Sequence, residues 1–185
     1  MAFEQKAITY GIVADTHIPD RVKNLPKTVL SGLMDAHVDV ILHAGDACSM
    51  QVVHTLEEIA PVKIVQGNRD WLLGLPFPKH ISFSTFGVNI TLTHSHRSIW
   101  HYLLDKWNLL RYGYCFERYW QLLAQDFPFA DVIIFGHTHR QVIQCIEGQL
   151  FFNPGVAYPC KHNRYHPQFG VLKVTPEGEL LTSCY

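Results

Sequence analysis

Over the first seventy positions of the chain, continuous apolar runs alternate with segments in which apolar residues recur every three or four positions. Ile8–Ala14 is a continuous apolar run rich in β-branched residues, which predicts a buried strand, and similar runs follow at Val38–His43 and Val62–Gln66. Between these runs, the stretch that opens at Leu25 and the segment Ser49–Ala60 repeat apolar residues every three or four positions, as helices do. This order predicts a βαβαβ unit with parallel strands and right-handed crossovers.

After residue 80 the predicted strands follow one another directly. Ile81–Phe86 and Val88–Thr93 predict a hairpin through Gly87, and two more hairpins are expected over Gln141–Phe152 and over 169–184. Residues 98–126 are aromatic and mostly helical in spacing, and Asp131–Phe135 predicts another strand. These strands imply a second sheet or an extension of the first. A single domain over residues 1–185 is expected, because this length supports one hydrophobic core.

Composition narrows the class of protein but does not name a partner. The hydrophobic fraction is 48%, the charged fraction is 17% and the formal net charge is -1, so no basic footprint for nucleic acid is present. No basic-then-apolar leader and no apolar run of membrane-spanning length occurs, so we expect a cytoplasmic protein with no membrane partner. The five cysteines are scattered and never form a CxxC pair, which predicts reduced thiols.

Five predicted strands end in short polar motifs made of metal-ligand residue types. Ligands bind at the carboxyl ends of strands in open α/β sheets, so motifs far apart in sequence are expected to converge there. A lone Asp-x-His or Gly-Asp is more often a helix cap or a turn, and a lone His-x-His at a strand end marks a site about as often as not. The joint occurrence of all five motifs is what predicts a site. The motifs are Asp15-Thr16-His17, Gly45-Asp46, Gly67-Asn68, His94-Ser95-His96 and Gly136-His137-Thr138-His139.

The spacing within the motifs predicts the direction of their side chains. In extended backbone, residues two positions apart face the same way, so the members of each Asp-x-His or His-x-His pair are expected to reach the same or adjacent ions. The glycines that precede three of the motifs are expected to leave room for a ligand or substrate. Strand Val88–Thr93 places His94 at the end of an apolar column that would shield the site from water.

The order of these motifs closely resembles that of the calcineurin-like metallophosphoesterases, in particular their small bacterial and archaeal phosphodiesterase branch. The resemblance covers nearly the whole chain and implies an α/β fold, the two-sheet α-β-β-α sandwich of this family. The family pattern is matched here by Asp15-x-His17, Gly45-Asp46, Gly67-Asn68-Arg69-Asp70, Thr93-His94 and Gly136-His137-Thr138-His139.

The resemblance also implies a pair of divalent metal ions and a division of their ligands. One ion would be held by Asp15, His17 and His139, and the other by Asn68, His94 and His137. Asp46 would bridge the two ions. Manganese is expected from the branch, and iron, zinc or nickel are the alternatives for such nitrogen and oxygen ligands. Asp70 is expected to orient a ligand, and Asn153-Pro154-Gly155 matches a family segment near the site.

The implied reaction is hydrolysis of small phosphodiesters, with monoesters left open, by attack of a metal-bridging hydroxide. Asn68 and His94 would contact the phosphate. Arg69 stands where relatives carry a histidine or cysteine, and an arginine does not give up its proton near neutral pH. It would therefore contact the substrate phosphate or pair with Asp70 or another carboxylate, and His96 is the nearest substitute donor in sequence. Val156 replaces a family serine.

Several alternatives remain open at this point. The same fold resembles the retromer subunit Vps29, so a protein-binding scaffold without catalysis is the main rival to an enzyme. His43 is either a support for the ligands or an ordinary core histidine, and His162 and His166 either line the substrate cleft or belong to a polar loop. The aromatic-rich segment 98–125 either packs on the sheet or forms a homo-oligomer interface or a cap.

Overall fold

The computed structural model describes residues 5–95, 111 and 115–185, and these form two five-stranded sheets with their helices. The first sheet contains β1 (Ile8–Val13), β2 (Val40–His43), β3 (Val62–Ile64), β9 (Gly170–Val174) and β10 (Leu180–Cys184). The second contains β4 (His80–Thr85), β5 (Val88–Thr93), β6 (Val132–Ile134), β7 (Gln141–Ile146) and β8 (Gln149–Pro154). The helices are α1 (Lys27–Asp35), α2 (Met50–Glu57), α3 (Asn68–Leu72) and α4 (Phe116–Asp126), with a 3₁₀ turn at Lys161–Asn163.

The strand order confirms the parallel N-terminal unit. In the first sheet the order is β10-β9-β1-β2-β3, with β1, β2 and β3 parallel and the last hairpin added antiparallel to β1. In the second sheet the order is β4-β5-β6-β8-β7, and its three central strands are parallel. The antiparallel strands β4 and β7 form its edges. The strands after residue 80 therefore build a second sheet, whereas the C-terminal hairpin extends the first.

The two sheets pack face to face and enclose the main hydrophobic core. Fully buried residues of the first sheet, such as Ile12 and Leu42, meet Ile90, Ile134 and Phe152 of the second. Helices α1 and α2 cover the outer face of the first sheet, and α4 covers that of the second. The resulting layers are those of the α-β-β-α sandwich that the family resemblance implied. Burial of so much β-branched and aromatic surface is the main force that holds the layers together.

The described part of the aromatic-rich segment packs on the second sheet. In α4 the Phe116 ring stacks at 6.2 Å on Phe135, and the Trp120 ring meets Phe151 edge-on at 6.2 Å. Residues 98–110 and 112–114 of the segment lie outside the described residues, so a role in oligomerisation or as a cap stays a prediction. None of the helices within the described ranges has the length and apolarity needed to cross a bilayer.

Candidate metal centre

The carboxyl ends of strands from both sheets meet at one edge of the sandwich. The segments after β1, β2 and β3 face the segments after β5 and β6, so residues distant in sequence come into contact. For example, the backbone N–H of His137 donates to Oδ2 of Asp15 at 3.0 Å across 122 positions. All seven residues expected to bind metal lie in these segments: Asp15, His17, Asp46, Asn68, His94, His137 and His139.

Asp15, His17 and His139 form a first group, hereafter the β1-side group. Nε2 of His139 lies 3.3 Å from Oδ1 of Asp15, and Nε2 of His17 lies 3.8 Å from the same oxygen. The two imidazole rings meet edge-on with their centroids 5.5 Å apart. Two imidazoles and a carboxylate converging on one point are a common ligand set for a divalent transition metal.

Asn68, His94 and His137 form a second group, hereafter the β5-side group. Oδ1 of Asn68 lies 3.0 Å from Nε2 of His94 and 3.1 Å from Nδ1 of His137. The two rings are again edge-on, with centroids 5.2 Å apart. The four histidines thus lie in two edge-on pairs, one in each group.

Asp46 lies between the two groups. Its Oδ2 is 3.7 Å from Nε2 of His17 and 3.5 Å from Nε2 of His94, so one oxygen faces both. Burial raises the pKa of Asp46, but the His94 and His17 imidazoles outweigh burial and hold the pKa below its usual range. In the same way, burial disfavours the charged form of His94, yet Asp46 outweighs it and raises the His94 pKa to about 9. The buried carboxylate of Asp46 thus stabilises positive charge placed next to it.

Two buried atoms of the β1-side group show that the residues fit a cation. Among the described residues, Oδ1 of Asp15 and Nε2 of His17 are buried and make no hydrogen bond. An unpaired buried polar atom is costly, and a metal ion would satisfy both atoms at once. The Asp15, His17 and His139 atoms all lie within 4.8 Å of one another, as do those of Asp15, Asp46 and His94.

The backbone of the ligand loops differs from the expected extended form. Asp15, His17, His137 and His139 all have positive φ, between 48° and 70°. Residues other than glycine rarely adopt positive φ, and clusters of such residues occur at functional sites, where the surrounding structure holds the backbone in place. The expected extended backbone was therefore wrong, although Asp15 and His17 do lie in one group and His137 and His139 in the two neighbouring groups. Left-handed turns after the strands direct these side chains instead.

The glycines before the motifs leave room for the site itself rather than for a ligand. A Cβ at Gly67 would overlap the carboxylate and the backbone nitrogen of Asp46, and a Cβ at Gly45 would lie 2.7 Å from Nδ1 of His94. Gly45 also has φ of +88°, a conformation that glycine adopts without strain. These glycines let the loops of neighbouring strands approach closely enough for their ligand residues to meet.

Asp70 holds the loop that carries Asp46. Its Oδ2 accepts the backbone N–H groups of Asp46 and Gly67 at 2.8 Å, and its Oδ1 accepts that of Cys48 at 2.8 Å. The side chain is fully buried. It stands in the first turn of α3, a short helix that the sequence did not predict, with Gly67 as its N-cap. Asp70 therefore positions the Asp46 loop.

Asn153 was expected only as part of a family segment, and the structure gives it a definite contact. It lies at the end of β8, a sixth strand at the same edge, and its Nδ2 donates to the carbonyl of Gly136 at 2.8 Å. Its Oδ1 accepts the N–H of Gly155 at 2.9 Å. The loop that carries His137 and His139 is held in this way. Val156, where relatives have serine, is fully buried.

His43 supports two ligand loops from below. It is fully buried, Nδ1 accepts the N–H of Gly45 at 3.2 Å, and Nε2 lies 3.1 Å from the Thr16 hydroxyl. Because Nδ1 accepts, Nε2 carries the proton and donates to Thr16. Burial lowers the pKa of His43 to about 4, so the ring is neutral at physiological pH. The supporting role is the one that the structure favours.

This burial predicts an acid-sensitive contribution to stability. The folded pKa of about 4 lies below the ordinary value of 6.5, so the unfolded chain binds the proton more tightly. The contribution is fully present above pH 6.5 and is lost as the pH falls toward 4, by on the order of 3 kcal/mol. Denaturant unfolding of metal-free His43→Gln should show a smaller loss of stability over this interval than the unmodified protein. The exposed His54→Gln is the control, and equal slopes in all three proteins would contradict the prediction.

Arg69 is engaged by a carboxylate on a neighbouring loop. Its Nε donates to Oδ2 of Asp20 at 3.1 Å, and its Nη2 forms an ion pair with the same oxygen. The backbone N–H of Arg69 donates to Oδ1 of Asp46 at 2.8 Å. Of the expected alternatives, the structure therefore shows pairing with another nearby carboxylate. His96, the expected substitute donor, lies outside the described residues.

Of the two loop histidines, one borders the site. The exposed His162 ring lies 6.2 Å from the His139 ring, and Tyr158 packs edge-on at 5.7 Å from His17 and 6.4 Å from His139. For the exposed His166 the contact seen is a backbone N–H donated to Asn163 at 2.9 Å. Tyr158 was not predicted as a site residue, although it lies only three positions after Gly155 of the Asn153-Pro154-Gly155 segment.

A four-layer sandwich with grouped imidazoles and carboxylates at a shared strand edge is the architecture of the metallophosphoesterase class. The family model of the calcineurin-like phosphoesterase superfamily domain matches residues 8–177, and the chain belongs to this superfamily. A probable metallophosphoesterase of Methanothermobacter thermautotrophicus is 36% identical, over 92% of this chain and 87% of that protein.

Two other similarities mark the range of functions found on this fold. A phosphodiesterase of Methanocaldococcus jannaschii is 26% identical, over 88% of this chain and 90% of that protein. The solved structure of Vps29 from Cryptosporidium parvum superposes with a TM-score of 0.67 at 21% identity, over 98% of each chain. The first is named for an enzymatic activity and the second for a role in protein sorting, so the fold by itself does not decide between them.

Proposed function

We propose that this protein is a phosphodiesterase that hydrolyses small phosphodiesters at a pair of divalent metal ions. The observation that carries the proposal is the complete set of seven ligand-type side chains, arranged in two groups around the Asp46 carboxylate. Relatives named metallophosphoesterase and phosphodiesterase support the same reaction class. Two buried ligand atoms of this arrangement, Oδ1 of Asp15 and Nε2 of His17, make no hydrogen bond, and a bound cation would satisfy both.

Each of the two groups would hold one ion. Asp15, His17 and His139 would hold one ion, Asn68, His94 and His137 would hold the other, and Asp46 would contact both. These nitrogen and oxygen ligands suit manganese, which we propose as the resident metal, before iron, zinc or nickel. When bound, such ions lower the pKa of a water molecule to supply a nucleophile and neutralise charge on the phosphate.

The protein side chains around the centre would orient the phosphate and exclude water. Asn68 would contact a non-bridging oxygen of the substrate through its amide NH2, since its Oδ1 faces the two imidazoles. His94 would act on the substrate through the ion that it holds, because its Nδ1 is bound to the Ala44 carbonyl. His94 is fully buried at the end of the apolar column of β5, which keeps water from its inner side. A water-poor, preorganised site strengthens every electrostatic contact made to the developing charge.

The state of Arg69 has a consequence for the leaving group. Its guanidinium is bound by Asp20, and arginine does not release a proton near neutral pH, so it supplies no general acid. We therefore propose that the enzyme prefers substrates whose leaving group departs without protonation, such as phenolates. The formal net charge of -1 gives no general attraction for long polyanions, which favours small substrates over nucleic acids.

The proposal is tested by measuring the hydrolysis of aryl phosphodiesters after loading the metal-free protein with Mn²⁺. Turnover should appear only with metal, should exceed turnover of the matching monoester, and should fall steeply as the pKa of the leaving phenol rises. Elemental analysis of the purified protein should find two divalent ions per chain.

The outcomes separate the competing functions. Metal binding without turnover of any ester would favour the scaffold, and a flat dependence on leaving-group pKa with rate-limiting chemistry would mean that an efficient acid exists elsewhere. In that case His96→Ala should restore the steep dependence if His96 is the donor.

A further inference from the structure

The two groups of candidate ligands differ in the atom that faces the second ring nitrogen of a histidine. A metal-binding histidine normally donates its second ring N–H to an oxygen, which fixes the ring and makes the ligating nitrogen more basic. His94 does this well, because its Nδ1 lies 2.7 Å from the carbonyl oxygen of Ala44 and both are buried. The β5-side group therefore has a strong outer support.

His17 has a sulfur in the same role. Its Nε2 faces Asp15 and Asp46, and its Nδ1 lies 3.5 Å from Sγ of the buried Cys48. A thiol is a weak hydrogen-bond acceptor compared with a carbonyl oxygen. Among the described residues the ring also meets His139 and Tyr158 edge-on, and these contacts restrict its position but do not polarise it.

Cys48 is in turn covered by the ion pair of Arg69 and Asp20. Ligand-type atoms of His17, Asp20 and Cys48 lie within 4.8 Å of one another, and the Arg69 guanidinium interacts with both Asp20 and the Cys48 side chain. The backbone of Cys48 is fixed by its hydrogen bond to Asp70. Arg69 and His17 are thus connected through Asp20 and Cys48, on the side of His17 that faces away from Asp15 and Asp46.

We propose that Cys48, covered by the Arg69–Asp20 pair, is the positioning residue of His17, and that its sulfur makes the β1-side group the weaker of two unequal metal sites. The inference rests on the proposed function, because it requires that both groups bind an ion. It also gives Arg69 a role that its position in the family pattern does not suggest, namely to keep the outer side of His17 closed to water.

The test is a titration of metal-free protein with Mn²⁺, followed by calorimetry and by electron paramagnetic resonance. The unmodified protein should fill in two steps that differ by about 10- to 100-fold in affinity, the usual effect of an outer-shell partner. The spectrum should change from isolated ions to a spin-coupled pair during the second step. Asp15→Asn should abolish the weaker step alone, which assigns that step to the β1-side group.

Variants of Cys48 then test the cause. Cys48→Ala should weaken the second step by roughly a further 10-fold and leave the first unchanged, whereas Cys48→Ser, which restores an acceptor, should recover the second step. Asp20→Asn, which releases Arg69, should weaken the same step. Cys184→Ala is the matched control, because this half-buried cysteine lies on β10 away from the site.

The failures of the two proposals are distinguishable. Binding of at most one ion by the unmodified protein would overturn the proposed function itself. Two equal steps, or a Cys48→Ala variant that leaves both steps unchanged or shifts both together, would overturn only the inference about Cys48. A third bound ion that is lost in Cys48→Ala would make Cys48 a ligand and would also overturn it.

Discussion

Replacement of Asp46 by asparagine is expected to lower turnover of an aryl phosphodiester by roughly 100- to 1,000-fold, the usual cost of removing one positioned electrostatic group. Metal content should fall at the same time, because Oδ2 of Asp46 faces His17 in one group and His94 in the other. An asparagine oxygen can still accept the backbone N–H of Arg69, so the fold should survive. The loss is therefore expected to be one of negative charge between the two sites.

The measurement is steady-state turnover at saturating Mn²⁺ together with metal titration of Asp46→Asn. Asp131→Asn is the matched control, since that exposed carboxylate accepts the N–H of Asn89 far from the ligand groups. Both Mn²⁺ steps of the titration should weaken in Asp46→Asn and neither in the control. A variant that loses only one step would show that Asp46 belongs to one group and does not bridge.

Asp70→Ala is expected to destabilise the metal-free protein by roughly 3 to 9 kcal/mol, because removal of a hydrogen-bond partner leaves each of three buried N–H groups with about 1–3 kcal/mol of uncompensated desolvation. The N–H groups are those of Asp46, Gly67 and Cys48, all bound at 2.8 Å. For a chain of 185 residues this corresponds to a fall in Tm on the order of 10 °C.

Thermal unfolding of the metal-free protein measures this effect without the contribution of bound metal. Asp39→Ala serves as control, since its exposed carboxylate accepts a single backbone N–H, that of Thr9. Asp70→Asn should fall between the control and Asp70→Ala, because an amide offers one acceptor oxygen where the carboxylate offers two. A stability equal to that of the control would mean that water replaces the carboxylate and that Asp70 is dispensable for the loop.

The parts of the architecture that depend on local hydrophobic pattern could be predicted from the sequence. Buried parallel strands read as continuous apolar runs and tight hairpins need residues at positive φ, and both signals were present. The turns at Phe86-Gly87 and at Glu147-Gly148 indeed have positive φ at both residues. Whether strands after residue 80 formed a second sheet was left open by pattern alone. The packing of two apolar faces decided it, and such packing depends on residues distant in sequence.

The candidate site could likewise be predicted only in part. The seven ligand-type residues could be chosen from motif order at strand ends, because the carboxyl ends of parallel strands meet at one edge. The direction of their side chains could not be predicted, since left-handed turns and not strand pleating orient Asp15, His17, His137 and His139. The short helix α3 was missed as well. Its five residues are too few for a periodic signal, and its first turn is held by the Asp70 carboxylate.

The sequence by itself determined the parallel βαβαβ start, the superfamily and the identity of the residues gathered at the strand edge, because each of these follows from local spacing and motif order. Only the tertiary structure decided which groups stand behind those residues. Arg69 pairs with Asp20 across 49 positions, Cys48 backs His17 across 31, and Ala44 backs His94 across 50. Such contacts depend on the approach of separate loops, and a single sequence carries no periodicity or motif that records which loops will meet.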